Sequence, residues 1–175
     1  MITHIQGRLV EKNPTDVIID CNGVGYFINI SLHTFSKIPA SEQIKLYTHL
    51  QVREDAHTLF GFAEKVEREL FRLLISVSGV GASTARTMLS SLDPQQVMES
   101  IAAGDVGTIQ SVKGIGAKTA QRLVIDLKDK VVKLYGLDDV SSVSSNTNRN
   151  EALSALETLG FSKKQVEKVC DKVLK

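Results

Sequence analysis

The sequence predicts a multidomain α+β protein. A five-stranded OB-like β-barrel comes first, an all-α domain with two helix-hairpin-helix motifs follows, and a flexible linker leads to a small helical domain. Three observations point to this class. The hydrophobic period changes from 2 to 3.6 near residue 64, a glycine-containing segment occurs twice in the helical part, and a Ser- and Asn-rich stretch without periodicity precedes the last helices. The predicted boundaries are 1–63, 64–136, 137–149 and 150–175.

Short segments rich in β-branched and aromatic residues fill the first sixty positions. Turn residues separate them, and Asn22-Gly23 is a strong hairpin signal because both residues tolerate positive φ. An irregular insertion, 31–41, follows the third segment. Five short strands favour a small closed barrel of the OB type, with an open meander or an SH3-like barrel as the alternatives. The predicted strands are 5–10, 17–21, 24–30, 44–50 and 58–62.

Helical periodicity begins at Glu64. Asp93 followed by Pro94 predicts the start of a further helix, and Asp105 is a second candidate N-cap. A long helix is expected from about 117 to 134. In the first helix the predicted buried stripe is Val66, Leu70, Leu73, Leu74 and Val77, and the predicted solvent side is Glu67, Arg68, Glu69 and Arg72.

The region after the long helix has two parts. Residues 137–149 lose periodicity and have a linker composition. Beyond them, 151–159 and 162–174 are predicted to be helices joined at Gly160. Two such short helices are too small for an independent core unless a third helix or a partner completes it.

Composition sets limits on function. The chain has 175 residues with 42% hydrophobic and 23% charged residues, in the usual range of globular proteins. It has neither a signal peptide pattern nor an apolar run of about 20 residues, so we expect a cytoplasmic protein without a membrane association. The formal net charge of +1 does not by itself indicate a nucleic-acid ligand. A DNA-binding function would require the positive charge to be concentrated on one face.

The internal repeat is the strongest signal. The segment SVSGVGASTA at 76–85 recurs thirty-five residues later as SVKGIGAKTA at 111–120, with seven of ten positions identical. Two glycines around one apolar residue suit a tight turn between helices, in which the apolar side chain fills the gap. They also leave backbone N–H groups uncovered at the start of the second helix, where a phosphate binds.

Both copies are therefore predicted to contact the DNA backbone, which carries no base information. Hydroxyl and basic residues near the glycines are suitable phosphate partners. A single copy of the motif would also be compatible with a purely structural turn in an all-α domain. The presence of two copies favours DNA-backbone binding. The predicted backbone-binding residues are Gly79, Val80, Gly81, Ser83, Thr84, Arg86, Gly114, Ile115, Gly116, Lys118, Thr119 and Arg122, with Lys113 beside them.

The remaining motifs do not indicate an enzyme. A Walker lysine would directly follow the last glycine of its loop, but Ala117 separates Gly116 from Lys118, and no GxGxxG is complete. The four histidines lack metal-ligand spacing. We therefore expect no catalytic residue, no cofactor and no metal. The acidic pair Glu54 and Asp55 is interpreted from the residues alone as a solvated tip between two strands.

The chain resembles the RuvA family of Holliday junction branch-migration proteins along essentially its whole length. The resemblance is carried by the two hairpins after a barrel, by the serine-rich tether to a helical end, and by these segments: GRL at 7–9, NGVGY at 22–26, VREDA at 52–56, LFGF at 59–62 and LGF at 159–161. A generic helix-hairpin-helix protein would not share the barrel segments.

The resemblance implies a non-catalytic DNA clamp, a four-fold symmetric homotetramer that holds a four-way junction open and flat in recombination and repair. One tetramer or two facing tetramers are both compatible with it. It implies RuvB, the ATP-driven motor, and RuvC, the resolvase, as partners. It assigns Glu54 and Asp55 to an acidic pin at the junction centre, where carboxylates repel phosphates. The C-terminal residues expected to contact the motor are Leu156, Leu159 and Phe161.

The sequence departs from the family pattern at two places. Ala82-Ser83 stands where relatives often carry proline and lysine, which predicts a weaker first hairpin. Two predicted C-terminal helices stand where the family has three, which indicates a short version of that domain or a surface completed by the partner. Two other functions are compatible with the hairpins: an accessory protein of a repair enzyme that binds duplex without junction preference, and a protein-interaction scaffold.

Overall fold

The computed structural model describes residues 1–39 and 41–142, with side chains described as far as Leu134. Met1–Leu134 form one compact unit, and Tyr135–Lys175 form a second. Among the described residues, no helix is both long and apolar enough to cross a membrane.

The first unit begins with a closed five-stranded barrel of strand order β1-β2-β3-β5-β4. All neighbours are antiparallel except β3 and β5, which pair in parallel at Asn29↔Phe60 and Ile30↔Gly61. The closed barrel confirms the OB-like prediction over the open meander and the SH3-like barrel. The strands are β1 His4–Lys12, β2 Asp16–Cys21, β3 Val24–Ile30, β4 Gln43–Val52 and β5 His57–Phe62.

A short helix, α1 (Leu32–Lys37), lies within the segment that the sequence predicted to be irregular. The Ser31 hydroxyl caps it by accepting a hydrogen bond from the Thr34 N–H at 3.0 Å. Serine is among the favoured N-cap residues because its oxygen satisfies an otherwise unpaired amide. Six residues are too few for helical periodicity to be recognised, so the sequence did not reveal this helix.

Within the described residues, five helices follow the barrel. Asp93 and Asp105 cap α4 and α5 as predicted, and Asp93 forms a capping box with Gln96. The last helix continues to Ser142, so its backbone includes the first six residues of the predicted linker, because each added residue of an established helix gains a hydrogen bond. The helices are α2 Lys65–Ile75, α3 Ala82–Ser91, α4 Pro94–Ala103, α5 Val106–Gln110 and α6 Ala117–Ser142.

Aromatic packing joins the barrel to the helices. The ring of Phe71 on α2 lies 5.1 Å from that of Phe60 and 4.9 Å from that of Phe62, centroid to centroid. Both barrel phenylalanines belong to the hydrophobic cluster of the helical part. Such tilted aromatic pairs add to the free energy gained by burying their surface. The β5 strand and the hairpins therefore share one hydrophobic core.

Glu67 is fully buried at this junction, which corrects the prediction that it faces solvent. Its carboxylate accepts hydrogen bonds from the hydroxyls of Ser31 at 2.5 Å and Thr34 at 2.6 Å. Thr34 in turn accepts from the Ala63 N–H at 3.1 Å. A buried carboxylate needs such donors because it has lost its water. Glu67 thus connects α2 to the end of the barrel.

Arg68 is the second correction, because only 9% of it is exposed although it was predicted to face solvent. Its guanidinium donates to the Thr3 carbonyl at 2.8 Å and lies over the Tyr47 ring at 5.5 Å. The prediction assumed one buried stripe on α2. The helix instead packs on the barrel and on the other helices, so two of its faces are covered.

We expect Glu67→Gln to change the pH dependence of stability. Burial raises the pKa of Glu67, against the opposing effect of the Ser31 and Thr34 hydroxyls; nearby His33 lowers this pKa and Glu64 raises it. Because the pKa of Glu67 is raised in the folded protein, its contribution to the free energy of unfolding is fully present below about pH 4.3, the ordinary glutamate pKa. That contribution declines as the pH rises through the pKa of the folded state.

Glutamine has no charge to desolvate but loses one acceptor, which costs about 1 kcal/mol at all pH values. Chemical denaturation of both proteins from acid to neutral pH should therefore show a stability deficit of Glu67→Gln that shrinks as the pH rises. A deficit independent of pH would contradict the raised pKa.

Candidate nucleic-acid interface

The two Gly-hydrophobic-Gly segments form hairpins of closely similar geometry. Gly79 and Gly114 have φ of 93° and 92°, in the left-handed region that favours glycine. The Val80 N–H donates to the Val77 carbonyl at 3.0 Å, and the Ile115 N–H donates to the equivalent carbonyl at 3.1 Å. The sequence repeat is therefore also a structural repeat, with α2 and α3 around the first hairpin and α5 and α6 around the second.

Val80 and Ile115 hold the hairpins together rather than facing a ligand. Each is only 6% exposed and belongs to the helical core. Their side chains are buried, and their N–H groups donate within the hairpin. Neither residue therefore has a side chain or an amide available to a phosphate. Val80 and Ile115 therefore have a structural role in the hairpins, as expected for an apolar residue that fills the gap between two helices.

The helix starts behind the glycines carry the available donors. In α3 the first helical bond runs from the Ala85 N–H to the Gly81 carbonyl at 2.9 Å, and in α6 it runs from Ala120 to Gly116 at the same distance. The three amides before each of these donors have no carbonyl four residues earlier in the helix. Two sets of N–H groups therefore point out of the helix starts, beside exposed glycines, where the helix dipole favours an anion.

The two hairpins lie beside each other. A methyl group built on Gly79 would be 3.6 Å from the Thr119 hydroxyl, so the first hairpin lies close to the start of the second hairpin's helix. Thr119 and Thr84 are both half-buried, at equivalent positions of the repeat. The exposed glycines of the first hairpin therefore lie near the helix start of the second.

The positive charge on this surface is uneven. Lys113, Lys118 and Arg122 surround the second hairpin and are exposed, whereas Ser83 stands in the first hairpin where Lys118 stands in the second. The equivalent of Arg122 in the first copy is Thr87, whose hydroxyl donates to the Ser83 carbonyl at 2.9 Å. The second hairpin therefore provides side-chain cations, and the first mainly backbone amides and hydroxyls.

Arg86 differs from the other predicted phosphate ligands because it contacts the barrel. Its Nη1 donates to the Thr15 carbonyl at 3.1 Å and to Asn29 Oδ1 at 3.0 Å. Its equivalent in the second copy is Gln121, so Arg86 and Arg122 do not occupy the same position of the repeat. Sequence reasoning missed this contact because Thr15 and Asn29 are far away in the chain.

Glu54 and Asp55 lie in the loop between β4 and β5, which the Arg53 N–H closes by donating to the Ala56 carbonyl at 2.9 Å. Both carboxylates are exposed. Asp55, Ser83 and Arg86 line a common cavity of about 180 Å³. The acidic tip and the first hairpin are therefore adjacent.

The residues predicted to contact the motor, Leu156, Leu159 and Phe161, lie outside the described residues.

Comparison with known proteins gives matches along the chain. Residues 1–61 match the RuvA N terminal domain, residues 71–129 match the SAM-like Helix-hairpin-helix tandem, and residues 147–175 match the RuvA C-terminal domain. The three segments follow the order of the predicted barrel, hairpin region and terminal helices.

Curated relatives match over nearly the full length. A protein of Christiangramia forsetii is 69% identical over 175 residues, covering 100% of this chain and 91% of the relative. One of Flavobacterium psychrophilum is 65% identical, covering 99% and 90%, and one of Laribacter hongkongensis is 42% identical, covering 95% and 87%. Each of these relatives is named Holliday junction branch migration complex subunit RuvA.

Proposed function

The chain belongs to the RuvA family, and from this membership we propose that it is the DNA-binding subunit of a Holliday junction branch migration complex, acting in recombination and repair. It binds the four-way junction in the cytoplasm and has no catalytic site of its own. The RuvB-type motor hydrolyses ATP and moves the strands, and a RuvC-type resolvase cuts the junction.

The observation that carries the proposal is the pair of adjoining hairpins with nearly identical geometry. Each presents exposed glycines and, at a helix start, amides that lack a helical acceptor, which suit a phosphate and read no base. A branch-migrating complex must bind every sequence that passes through it, so contacts to the backbone alone fit this task. We assign phosphate binding to Gly79, Gly81, Ser83, Thr84, Gly114, Gly116, Lys118, Thr119 and Arg122.

Assembly as a homotetramer would reconcile this interface with the net charge of +1. Four copies about one axis place eight hairpins on one face, while surplus acidic residues lie elsewhere. In the same arrangement the four acidic tips meet near the axis. There, Glu54 and Asp55 of each copy repel phosphates and keep the strands at the crossover apart.

An electrophoretic mobility shift with a four-way junction and a linear duplex of equal total length tests this function. We expect much tighter binding to the junction, and an affinity for both ligands that falls steeply as salt rises. Equal affinity for the two ligands would favour the accessory protein of a repair enzyme, and no DNA binding would favour the interaction scaffold.

Neutralising the pin, by Glu54→Gln with Asp55→Asn, is expected to leave junction affinity unchanged or to raise it several-fold. Removing repulsion at the crossover cannot weaken binding, but it should alter the rate of motor-driven branch migration. Titration of a labelled junction and a strand-exchange assay measure the two effects. Asp126→Asn with Asp129→Asn, two exposed acids on α6, gives the same charge change as a control. Markedly weaker binding by the pin variant would assign those carboxylates to structure instead.

Leu159→Asp tests the proposed contact with the motor. We expect this change to abolish stimulation of the motor's ATPase by the junction-bound subunit while junction affinity stays the same, since a charge placed in an apolar contact is costly. Lys164→Asp, a charged position in the same predicted domain, is the control. Unchanged stimulation by Leu159→Asp would remove Leu159 from the contact.

A further inference from the structure

Arg86 has contacts that a phosphate ligand does not require. Its Nη1 carries two hydrogens, and both have acceptors on the barrel: the Thr15 carbonyl at 3.1 Å and Asn29 Oδ1 at 3.0 Å. The Thr15 carbonyl also accepts from the Ile30 N–H at 3.0 Å, so it belongs to a fixed part of the barrel. Hydrogen bonds from a charged donor are stronger than neutral ones. The guanidinium therefore fastens α3 to the barrel.

A second connection lies one helical turn further along α3. The Ser90 hydroxyl accepts a hydrogen bond from the Leu32 N–H at 3.1 Å and donates to the Arg86 carbonyl at 2.8 Å. Residues four apart lie on the same face of a helix. The face of α3 that carries Arg86 and Ser90 is thus held against the barrel through Arg86 and against the start of α1 through Ser90.

The second copy of the repeat has no such face. The positions equivalent to Arg86 and Ser90 are Gln121 and Ile125, which are both exposed, Ile125 to 78%. The hairpins have the same geometry, but among the described residues only the first has this pair of connections. The two residues are therefore an addition to the hairpin motif and are not needed to form it.

The connection leads from the hairpin to the acidic tip. Asn29, which accepts from Arg86, donates through Nδ2 to the Leu59 carbonyl on β5 at 3.4 Å. The β5 strand begins at His57, directly after the loop that holds Glu54 and Asp55. Arg86 is consequently connected to both structures that would contact the junction: the phosphate-binding helix start and the tip.

We propose that Arg86 is a positioning residue that fixes the first hairpin at a set distance from the acidic tip, and that it thereby contributes to selectivity for four-way junctions. The proposal rests on the proposed function. A linear duplex needs only hairpins, whereas a junction must meet hairpins and tip at once. A loosened connection lowers affinity for the junction and leaves affinity for the duplex unchanged.

The test compares Arg86→Gln with Arg122→Gln, the loss of an exposed arginine at the second hairpin. Affinities for junction and linear duplex are measured over a range of salt concentrations. For Arg86→Gln, which removes both hydrogen bonds to the barrel, we expect junction affinity to fall at least about tenfold, with the duplex salt slope unchanged. For Arg122→Gln we expect the slope of log affinity against log salt to become shallower by about 0.9 for each lost phosphate contact.

Asn29→Ala provides a second variant, which keeps the arginine and removes its side-chain acceptor. It should lower selectivity as Arg86→Gln does, and the double variant should lose little more than either single variant, because the two act through one contact. Thermal unfolding checks that each variant is folded.

A shallower duplex slope for Arg86→Gln, or full selectivity in Asn29→Ala, would overturn the proposal and make Arg86 a phosphate ligand. A parent protein without junction preference would instead refute the proposed function. The duplex slopes of the two arginine variants would still decide whether Arg86 contacts phosphate.

Discussion

Replacing Lys118 and Arg122 together by glutamate is expected to lower junction affinity by roughly a hundredfold to a thousandfold at moderate salt. Both side chains are exposed beside the start of α6, where the amides before Ala120 have no helical acceptor. The variant removes two cations and places two anions beside the phosphate. It should also lessen the salt slope by about 0.9 for each lost contact, which fluorescence anisotropy at several salt concentrations measures.

Lys128→Glu with Lys130→Glu is the matched control for this variant. These lysines are also exposed on α6, about 12 to 15 Å further along the helix by its rise per residue, and the change in net charge is identical. We expect the control to lose far less affinity and to keep its salt slope. Similar losses in both variants would mean that the overall field attracts DNA and that the hairpin makes no specific contact. Unchanged binding in the first variant would support the interaction scaffold.

The features that the sequence predicts correctly are local or repeated ones. The strands follow from short runs of β-branched and aromatic residues between turn residues, and Asp93 and Asp105 are recognisable as caps from their neighbours alone. The hairpins are visible because the chain contains them twice, and the positive φ of Gly79 and Gly114 is what only glycine tolerates easily.

The features that the sequence did not reveal depend on contacts between distant segments. Glu67 is polar and falls off the apolar stripe, yet it is buried because Ser31 and Thr34 offer it hydroxyl donors from another part of the chain. Arg86 was predicted as a phosphate ligand from its place near a hairpin, and its barrel acceptors lie 57 and 71 positions away. Periodicity describes one element at a time and gives no information on which neighbours it meets.

Gly7→Ala is expected to destabilise the barrel by about 3 kcal/mol, the upper part of the range for inserting an atom into a packed core. A Cβ atom on Gly7 would lie 2.2 Å from the Asp20 carbonyl oxygen and 2.9 Å from the Cys21 sulfur, so β1 and β2 would have to separate. The melting temperature should fall by about 10 °C, measured by circular dichroism.

Gly25→Ala is the comparison that isolates the steric effect. Gly25 lies in the neighbouring strand β3, where an added methyl would meet only Ile18 Cγ2 at 3.8 Å, an ordinary contact. Alanine lowers the conformational entropy of the unfolded chain equally at both positions, so this effect cancels when the stabilities of the two variants are compared. We expect Gly25→Ala to stay within about 0.5 kcal/mol of the parent. Equal stability of the two variants would show that β1 moves freely away from β2.

Gly7→Ala should also affect junction binding more than Gly25→Ala does. The strands β1 and β2 are adjacent in the closed barrel, and the turn between them contains Thr15, to which Arg86 donates. Folded Gly7→Ala protein, assayed well below its melting temperature, should therefore lose junction selectivity before it loses duplex binding. The proposed duplex contacts lie on the hairpins, where Val80 and Ile115 belong to a hydrophobic cluster that contains no residue of β1. A parallel loss of both affinities would mean that the hairpins require an intact barrel even to bind phosphate.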